Sequence, residues 1–175
     1  MTQASAAPIG FRALEEADLE RLCDWLNRPH LRRFYQKTPI SLPQVRDKWR
    51  LPGGVTSPTF FDLALLQDRP FGYLQCYRIG DYPDYGADIG VADGVGIDYF
   101  IGEPDLIGQG LGARMIAAYL VQVVWPRFPG EARCWVCHDR ENAASGGALR
   151  SAGFGFVREQ MEQGVPSRLV VVDRP

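Results

Sequence analysis

Residues 96–102 read Gly96-Ile-Asp-Tyr-Phe-Ile-Gly102, and the chain continues Glu103-Pro-Asp-Leu-Ile-Gly-Gln-Gly-Leu-Gly112 into an apolar run that lasts to Trp125. The first stretch reads as a strand, the glycines at 108, 110 and 112 as a turn, and the run as a long helix closed by Pro126. Glycine frees the backbone to pass close to a ligand. The first-turn N–H groups of a helix lack intrahelical partners and point outward at the positive end of its dipole. Such a turn is an anion site, and a diphosphate fits it. A Rossmann site would place the turn early in a βαβ unit with an acid about 20 residues on. Here the turn lies two thirds along the chain, and residues 122–127 hold no acid. A Walker loop needs Gly-Lys-Ser/Thr, which is absent. Beyond Gly112 only Arg114 and Gln122 are strongly polar, which predicts a helix covered on both flanks.

Outward from this segment, residues 9–14 alternate as a first strand, and residues 15–26 place Leu19, Leu22, Cys23 and Leu26 at helical spacing, stopped by Pro29. Ser41 starts a shorter helix that ends near Pro52-Gly-Gly. Residues 60–66 and 71–79 read as strands joined by Gln67-Asp-Arg-Pro70. Residues 80–96, rich in Gly, Asp, Tyr and Pro, carry no regular signal, and a long structureless loop is usually functional or mobile. Residues 133–138 read as a strand, 142–152 as a helix ended by Gly153, and 154–159 with 167–172 as a closing hairpin. The order β-α-α-β-β-β-α-β-α-β-β shows no internal repeat.

At 175 residues the chain fits one domain, 1–175, with a frayed tail over 1–8. The start has no basic or apolar run of a signal peptide, and no apolar stretch approaches the roughly 20 residues a membrane span needs, so a cytoplasmic protein is expected. Net charge is −2, but no Lys or Arg falls between Arg78 and Arg114, where Asp81, Asp84, Asp88, Asp93, Asp98, Glu103 and Asp105 lie. Such a region repels nucleic acid and attracts a polycation; it is also what a solvated acidic loop looks like. Cys23, Cys76, Cys134 and Cys137 are too few for a disulfide framework. Cys134-Trp-Val-Cys137-His138 matches a haem-attachment pattern, yet in a strand residues three apart face opposite ways, so the two sulfurs do not converge on a metal.

Ile107-Gly-Gln-Gly-Leu-Gly112 after a strand, with Asn142 and Ala152-Gly-Phe154 downstream, resembles the acyl-CoA signature of the GNAT N-acetyltransferases. Asp24-Trp-Leu-Asn-Arg-Pro-His30, Phe71-Gly-Tyr73 and Gly96-Ile-Asp98 extend the resemblance to the aminoglycoside 6′-N-acetyltransferase branch, over about residues 9–172. The resemblance implies a single-domain GNAT fold of the α/β (α+β) class, with a central mixed, mainly antiparallel sheet flanked by helices. It implies acetyl-CoA as co-substrate, no metal, and direct transfer to a primary amine in a ternary complex. Backbone N–H groups of Gln109, Gly110, Leu111, Gly112 and Ala113 would hold the pyrophosphate, with Arg114 adding charge. The strand edge at Phe100 and Ile101 would pair with the pantetheine arm. Asn142 would hydrogen-bond near that arm, and is equally an ordinary helix N-cap.

By the same resemblance Asp98 faces the acceptor, where a carboxylate can bind an ammonium and take its proton, directly or through water. An Asp pKa near 4 against an amine near 10 favours a relay with charge anchoring as its main work. Phe34, Tyr35, Asp81 and Asp84 occupy segments that line the acceptor pocket in the resembled enzymes. The chain departs from the family in three places: Leu149 stands where a Tyr protonates the leaving thiolate, Ile107 where many relatives have Arg or Gln, and Cys137-His-Asp-Arg-Glu141 where drug-modifying members have an acid-and-proline run. Ser145, Ser151 and solvent are the remaining proton donors. The expected partner is a small-molecule amine, an aminoglycoside or similar polycation as in antibiotic resistance, with no nucleic acid or membrane and a monomer or homodimer as the assembly. Two other readings stand beside it: a siderophore or other secondary-metabolite amine acyltransferase, and a non-catalytic acyl-CoA-binding module.

Overall fold

The computed structural model describes residues 7–175, so the tail expected at 1–8 lies outside the described residues except for its last two. Seven strands hydrogen-bond in one sheet, in the order β1-β2-β3-β4-β5-β7-β6: β1 (Ile9–Ala13), β2 (Phe60–Leu66), β3 (Arg69–Arg78), β4 (Val95–Ile101), β5 (Arg133–Asp139), β6 (Gly155–Glu162) and β7 (Val165–Asp173). The sheet is mainly antiparallel and flanked by helices, as expected; β4 and β5 are parallel. Their ladder holds Val95 opposite Cys134 and Gly96 opposite Trp135 and, among the described residues, goes no further.

The chain clusters into two compact units, the first ending at Gln75 and including Tyr99–Gln109, the second comprising Cys76–Asp98 and Gly110–Pro175. In the first, helices α1 (Leu19–Leu26), α2 (Pro29–Phe34) and α3 (Leu42–Lys48) bury Leu22, Trp25, Leu31, Val45 and Trp49 with Phe61, Leu63, Tyr73 and Phe100. Proline at N1 fits the missing N–H of a helix start. Pro29 therefore opens α2 instead of merely stopping α1. The β2–β3 turn has positive φ at Gln67 (50°) and Asp68 (62°), the type I′ geometry that matches strand twist, so β3 begins at Arg69, earlier than expected.

The segment 24–30 has a structural task in this unit. Trp25 Nε1 donates to Glu103 Oε1 at 3.1 Å, and Arg28 donates to the Gly102 carbonyl at 2.9 Å and to Glu103 Oε2 at 3.2 Å. His30 Nε2 bonds the Ile101 carbonyl at 2.9 Å. Together they clamp the end of β4. Arg69 joins Arg28 on Glu103 and, with the Trp25 bond, these cations hold its carboxyl below the usual range against the cost of burial.

The second unit holds α4 (Pro83–Ile89), α5 (Leu111–Tyr119), α6 (Trp125–Arg127) and α7 (Ala143–Ser151). Helix α4 falls where no regular structure was expected. Pro83 opens it, Gly90 at φ 67° ends it, and Tyr82, Tyr85 and Ile89 pack on Tyr77, Ile79, Val91 and Leu169. Strand β6 caps it: Arg158 donates to the Ile89 carbonyl at 2.7 Å, placing a cation at the negative end of the helix. The long helix is not one rod. A π-helical turn, Leu120–Val124, joins α5 to α6, with the Trp125 N–H bonding the Leu120 carbonyl. Pro126 has no N–H to give the Gln122 carbonyl, and the chain passes it inside the first turn of α6. Val121 is 65% exposed and Gln122 exposed, so the expected cover on both flanks is corrected to cover on one.

A Cβ added at Gly102 would sit 2.1 Å from the Trp25 indole. Gly102→Ala therefore overpacks the clamp and is expected to cost about 1–3 kcal/mol, read as a lower denaturation midpoint at unchanged m value.

Candidate active site

The glycine turn belongs to the first unit up to Gln109 and to the second from Gly110. A 3-10 turn, Pro104–Leu106, leads into it, and Gln109 Nε2 donates to the Asp105 backbone carbonyl at 2.6 Å. Gly108 and Gly110 have φ of 77° and 74°, and a Cβ at either would meet nothing within 4 Å. Backbone conformation, not lack of space, requires glycine there. Gly110, the N-cap of α5, has no side chain with which to cap that end. Residues 107–110 are exposed, 112–114 half-exposed, and Leu111 is buried as the anchor. This is the arrangement an anion site requires.

On β4 the ring of Phe100 is core, stacked on Tyr73 at 5.1 Å and met edge-on by Tyr35 at 4.8 Å. The Ile101 carbonyl already accepts from His30. Phe34, half-exposed, carries the Arg33 guanidinium 4.9 Å from its ring centre. These residues and Tyr35 lie in the first unit, each placed within it.

Asp98, half-buried on β4, belongs to the second unit, where its charge acts on a row of hydroxyls. Tyr77 lies against Gly96: a Cβ there would be 2.5 Å from the phenol ring and 2.9 Å from its oxygen. The Tyr77 hydroxyl hydrogen-bonds that of Tyr85, and Tyr85 Oη donates to Glu162 Oε1 at 2.8 Å. Burial first, then the Asp98 charge, push both phenols far above their ordinary range. Burial also raises Glu162, opposed by the Tyr85 bond and reinforced by Asp98. Beside them the Cys137 thiol is pushed up to about 12 by burial and by Glu162, which makes it inert as a nucleophile.

Asp81 and Asp84 are exposed and line a depression of ≈ 470 Å³ with Tyr82, Tyr85, Asp88 and Gln163. Asn142 is the N-cap of α7, its side-chain oxygen accepting from the Ser145 N–H at 3.1 Å. Leu149 is 0% exposed, and Ser151 is exposed. His138, buried on β5 against Gly146, has its pKa lowered by burial. Among the described residues no group of three or more His, Cys, Asp or Glu could hold a metal, and no helix is long and apolar enough to cross a membrane.

Tyr77, Tyr85 and Glu162 are absent from the sequence-based set of site residues. Tyr85 sits on the helix that carries no regular signal in the sequence reading, and Glu162 in the stretch between the two expected closing strands. A signal for the helix is nonetheless present: Tyr85, Gly86 and Ile89 follow Tyr82 at spacings of three, four and seven, with Pro83 at the first helical position and Gly90 after the last.

The family description "Acetyltransferase (GNAT) domain" matches residues 15–161. Aminoglycoside N(6′)-acetyltransferases type 1 of Klebsiella pneumoniae and Serratia marcescens are 29% identical over 124 residues, 67% of this chain. That match spans 59% of the length of those relatives. Among solved structures, aminoglycoside acetyltransferase AAC(6′)-Ib with coenzyme A and kanamycin superposes with a TM-score of 0.79 at 22% identity, covering 95% of each chain. The aminoglycoside N(6′)-acetyltransferase of Legionella pneumophila gives 0.71 at 20% identity, covering 94% of this chain and 91% of its own. At these identities the superpositions establish the fold alone.

A carboxyl whose pKa is raised on folding stabilises the fold only while protonated, and that contribution is lost as pH rises through the folded-state value. The melting temperature of Glu162→Gln relative to wild type is therefore expected to rise between about pH 4 and pH 7. A flat difference across that window contradicts the raised carboxyl.

Proposed function

Because this chain belongs to the acetyltransferase (GNAT) domain family, we propose that it moves the acetyl group of acetyl-coenzyme A to a primary amine of an aminoglycoside or similar polycation. The transfer is direct, in a ternary complex. The observation that carries the acceptor side is the set of carboxylates in the second unit: Asp98 and Glu162 beside the tyrosines, and Asp81, Asp84 and Asp88 around the depression, all but Glu162 in a stretch without Lys or Arg. Carboxylates bind ammonium groups, and a field of one sign raises the local concentration of a polycation. The names of the relatives support the same acceptor class.

Backbone N–H groups of Gln109, Gly110, Leu111, Gly112 and Ala113, with the Arg114 side chain, hold the pyrophosphate. The uncapped start of α5 fits that load. Phe100 and Ile101 contribute backbone to the pantetheine arm, where the His30 bond leaves the Ile101 carbonyl already engaged. Asn142, its oxygen spent on the helix cap, has its amide N–H groups to offer. The thioester supplies an activated acyl group; Asp98 anchors the ammonium, whose proton leaves by a relay. Asp81 and Asp84 pair with further ammonium groups, and Phe34 and Tyr35 offer aromatic faces.

Leu149, fully buried, favours a second reading, a non-catalytic acyl-CoA-binding module. A thiol of pKa near 8.5 leaves tolerably without a protein acid, so the first reading does not require a hydroxyl there.

Following free thiol with acetyl-CoA and a panel of amines separates the two: release with polyamines or aminosugars is expected, and CoA binding without release for any amine favours the module. Asp98→Ala is expected to lower kcat about 10²- to 10⁴-fold. Gly110→Asp should abolish CoA binding in calorimetry, since a carboxylate would enter the anion site and a positive φ resists a side chain; retained affinity would sink the pyrophosphate assignment.

A further inference from the structure

Two phenol hydroxyls and a carboxyl in the second unit make a directed row. Tyr77, 7% exposed, hydrogen-bonds Tyr85, and Tyr85 Oη donates to Glu162 Oε1 at 2.8 Å. The rings alone would pack as well without oxygens, standing 6.2 Å apart at 68°. A buried phenol oxygen needs a partner, and here the partner of Tyr85 is a carboxylate. The row starts on β4: with no side chain at Gly96, the Tyr77 phenol lies on the strand two residues before Asp98, on the face Asp98 shares. It ends at a carboxyl that α4 and β6 bring together, since Arg158 and Gln160 both bond the Ile89 carbonyl and the Gln163 N–H bonds Asp88 at 3.0 Å.

Resting on the reading of the site as an amine acetyltransferase, we propose that Tyr77, Tyr85 and Glu162 form a proton path from the acceptor amine, with Asp98 as its electrostatic anchor and Glu162 as the proton's destination. An ammonium held at Asp98 gives a proton to Tyr77 Oη as the Tyr77 proton passes to Tyr85 and the Tyr85 proton to Glu162. The neutral nitrogen forms a bond to the thioester carbonyl carbon, and the carbon–sulfur bond breaks. The nitrogen's second proton goes to the departing sulfur, and Glu162 returns its proton to water. Ammonium and thioester thus become amide, thiol and one released proton, and charge balances.

The surroundings of Glu162 fit the part. It faces Asp98 from β4, Tyr85 and Asp88 from α4, and Cys137 from β5. Burial and the two aspartates favour its protonated form, while the bonds from Tyr85 and Cys137 favour its anion. Such a carboxyl is a better base for an amine than an ordinary Asp. Both phenols, pushed far above their ordinary range, stay protonated throughout and relay without becoming anions.

The test is steady-state kinetics of wild type, Tyr85→Phe, Glu162→Gln and Glu162→Asp with an accepted amine. Tyr85→Phe and Glu162→Gln are expected to lower kcat about 10²-fold at unchanged KM for acetyl-CoA, and Glu162→Asp to recover part of it. The acid limb of the kcat profile should move down in Asp88→Asn, which removes a like charge from Glu162. Full kcat in Glu162→Gln overturns the path while leaving the amine acetyltransferase intact. Carboxyl titration of the free protein by NMR needs no acceptor. A Glu162 signal titrating above the ordinary carboxyl range, and lower in Asp98→Asn, supports the coupling; an ordinary titration overturns it, even if no amine is acetylated and the functional reading falls.

Discussion

Strand β4 is positioned by two side chains that are not there. At Gly96 the missing Cβ lets the Tyr77 phenol lie on the strand, and at Gly102 it lets the Trp25 indole do the same. Any Cβ would enter either ring, so each contact is bound to glycine by volume, independently of backbone conformation. Between them run Asp98, Phe100 and Ile101, the residues to which acceptor and donor functions are attributed. The first contact sets the hydroxyl row on the Asp98 face; the second fixes the strand end from which the chain departs into the glycine turn.

The fold is largely legible in the sequence because its strands alternate and its first and last helices are amphipathic or capped. Legibility fails at the prolines. Pro29 and Pro83 read as stop or loop signals, although each stands at the first position of a helix, and Pro126 reads as a terminator, although a π-helical turn carries the chain past it. Proline lacks only the N–H that a helix start leaves unused, so the residues after it decide whether it ends a helix or opens one. The donor-side turn is legible because it is contiguous: two glycines with positive φ lead directly into an uncapped helix. The tyrosine–glutamate row is not, because its members come from β3, α4 and β6 and only packing brings them together.

The departures from the resembled family now have surroundings. Leu149 is wholly buried and contributes apolar contact only. In the segment 137–141, Cys137 takes part in the Glu162 cluster, whereas His138 faces the opposite side of β5 against α7. Their alternation is that of a strand, which is why the cysteine pair at 134 and 137 does not converge: Cys134 is fully buried and Cys137 only half-buried. The acidic window likewise divides. Glu103 is spent on Arg28, Arg69 and Trp25 in the first unit, while Asp81, Asp84 and Asp88 remain exposed on or beside α4. Counting charge along the chain merges what folding separates into a buried clamp and an open rim.

The bond from His30 to the Ile101 carbonyl carries one more consequence. A carbonyl oxygen only accepts, so Nε2 must hold a proton. The bond therefore selects which ring nitrogen carries the proton and fixes the orientation of the ring. The imidazole thus serves as a tether from α2 to the backbone at the end of β4. With Arg28 on the Gly102 carbonyl, it ties two consecutive backbone carbonyls at the end of β4 to side chains of one segment, 24–30, so the point where the strand hands the chain to the glycine turn is set by residues remote in sequence.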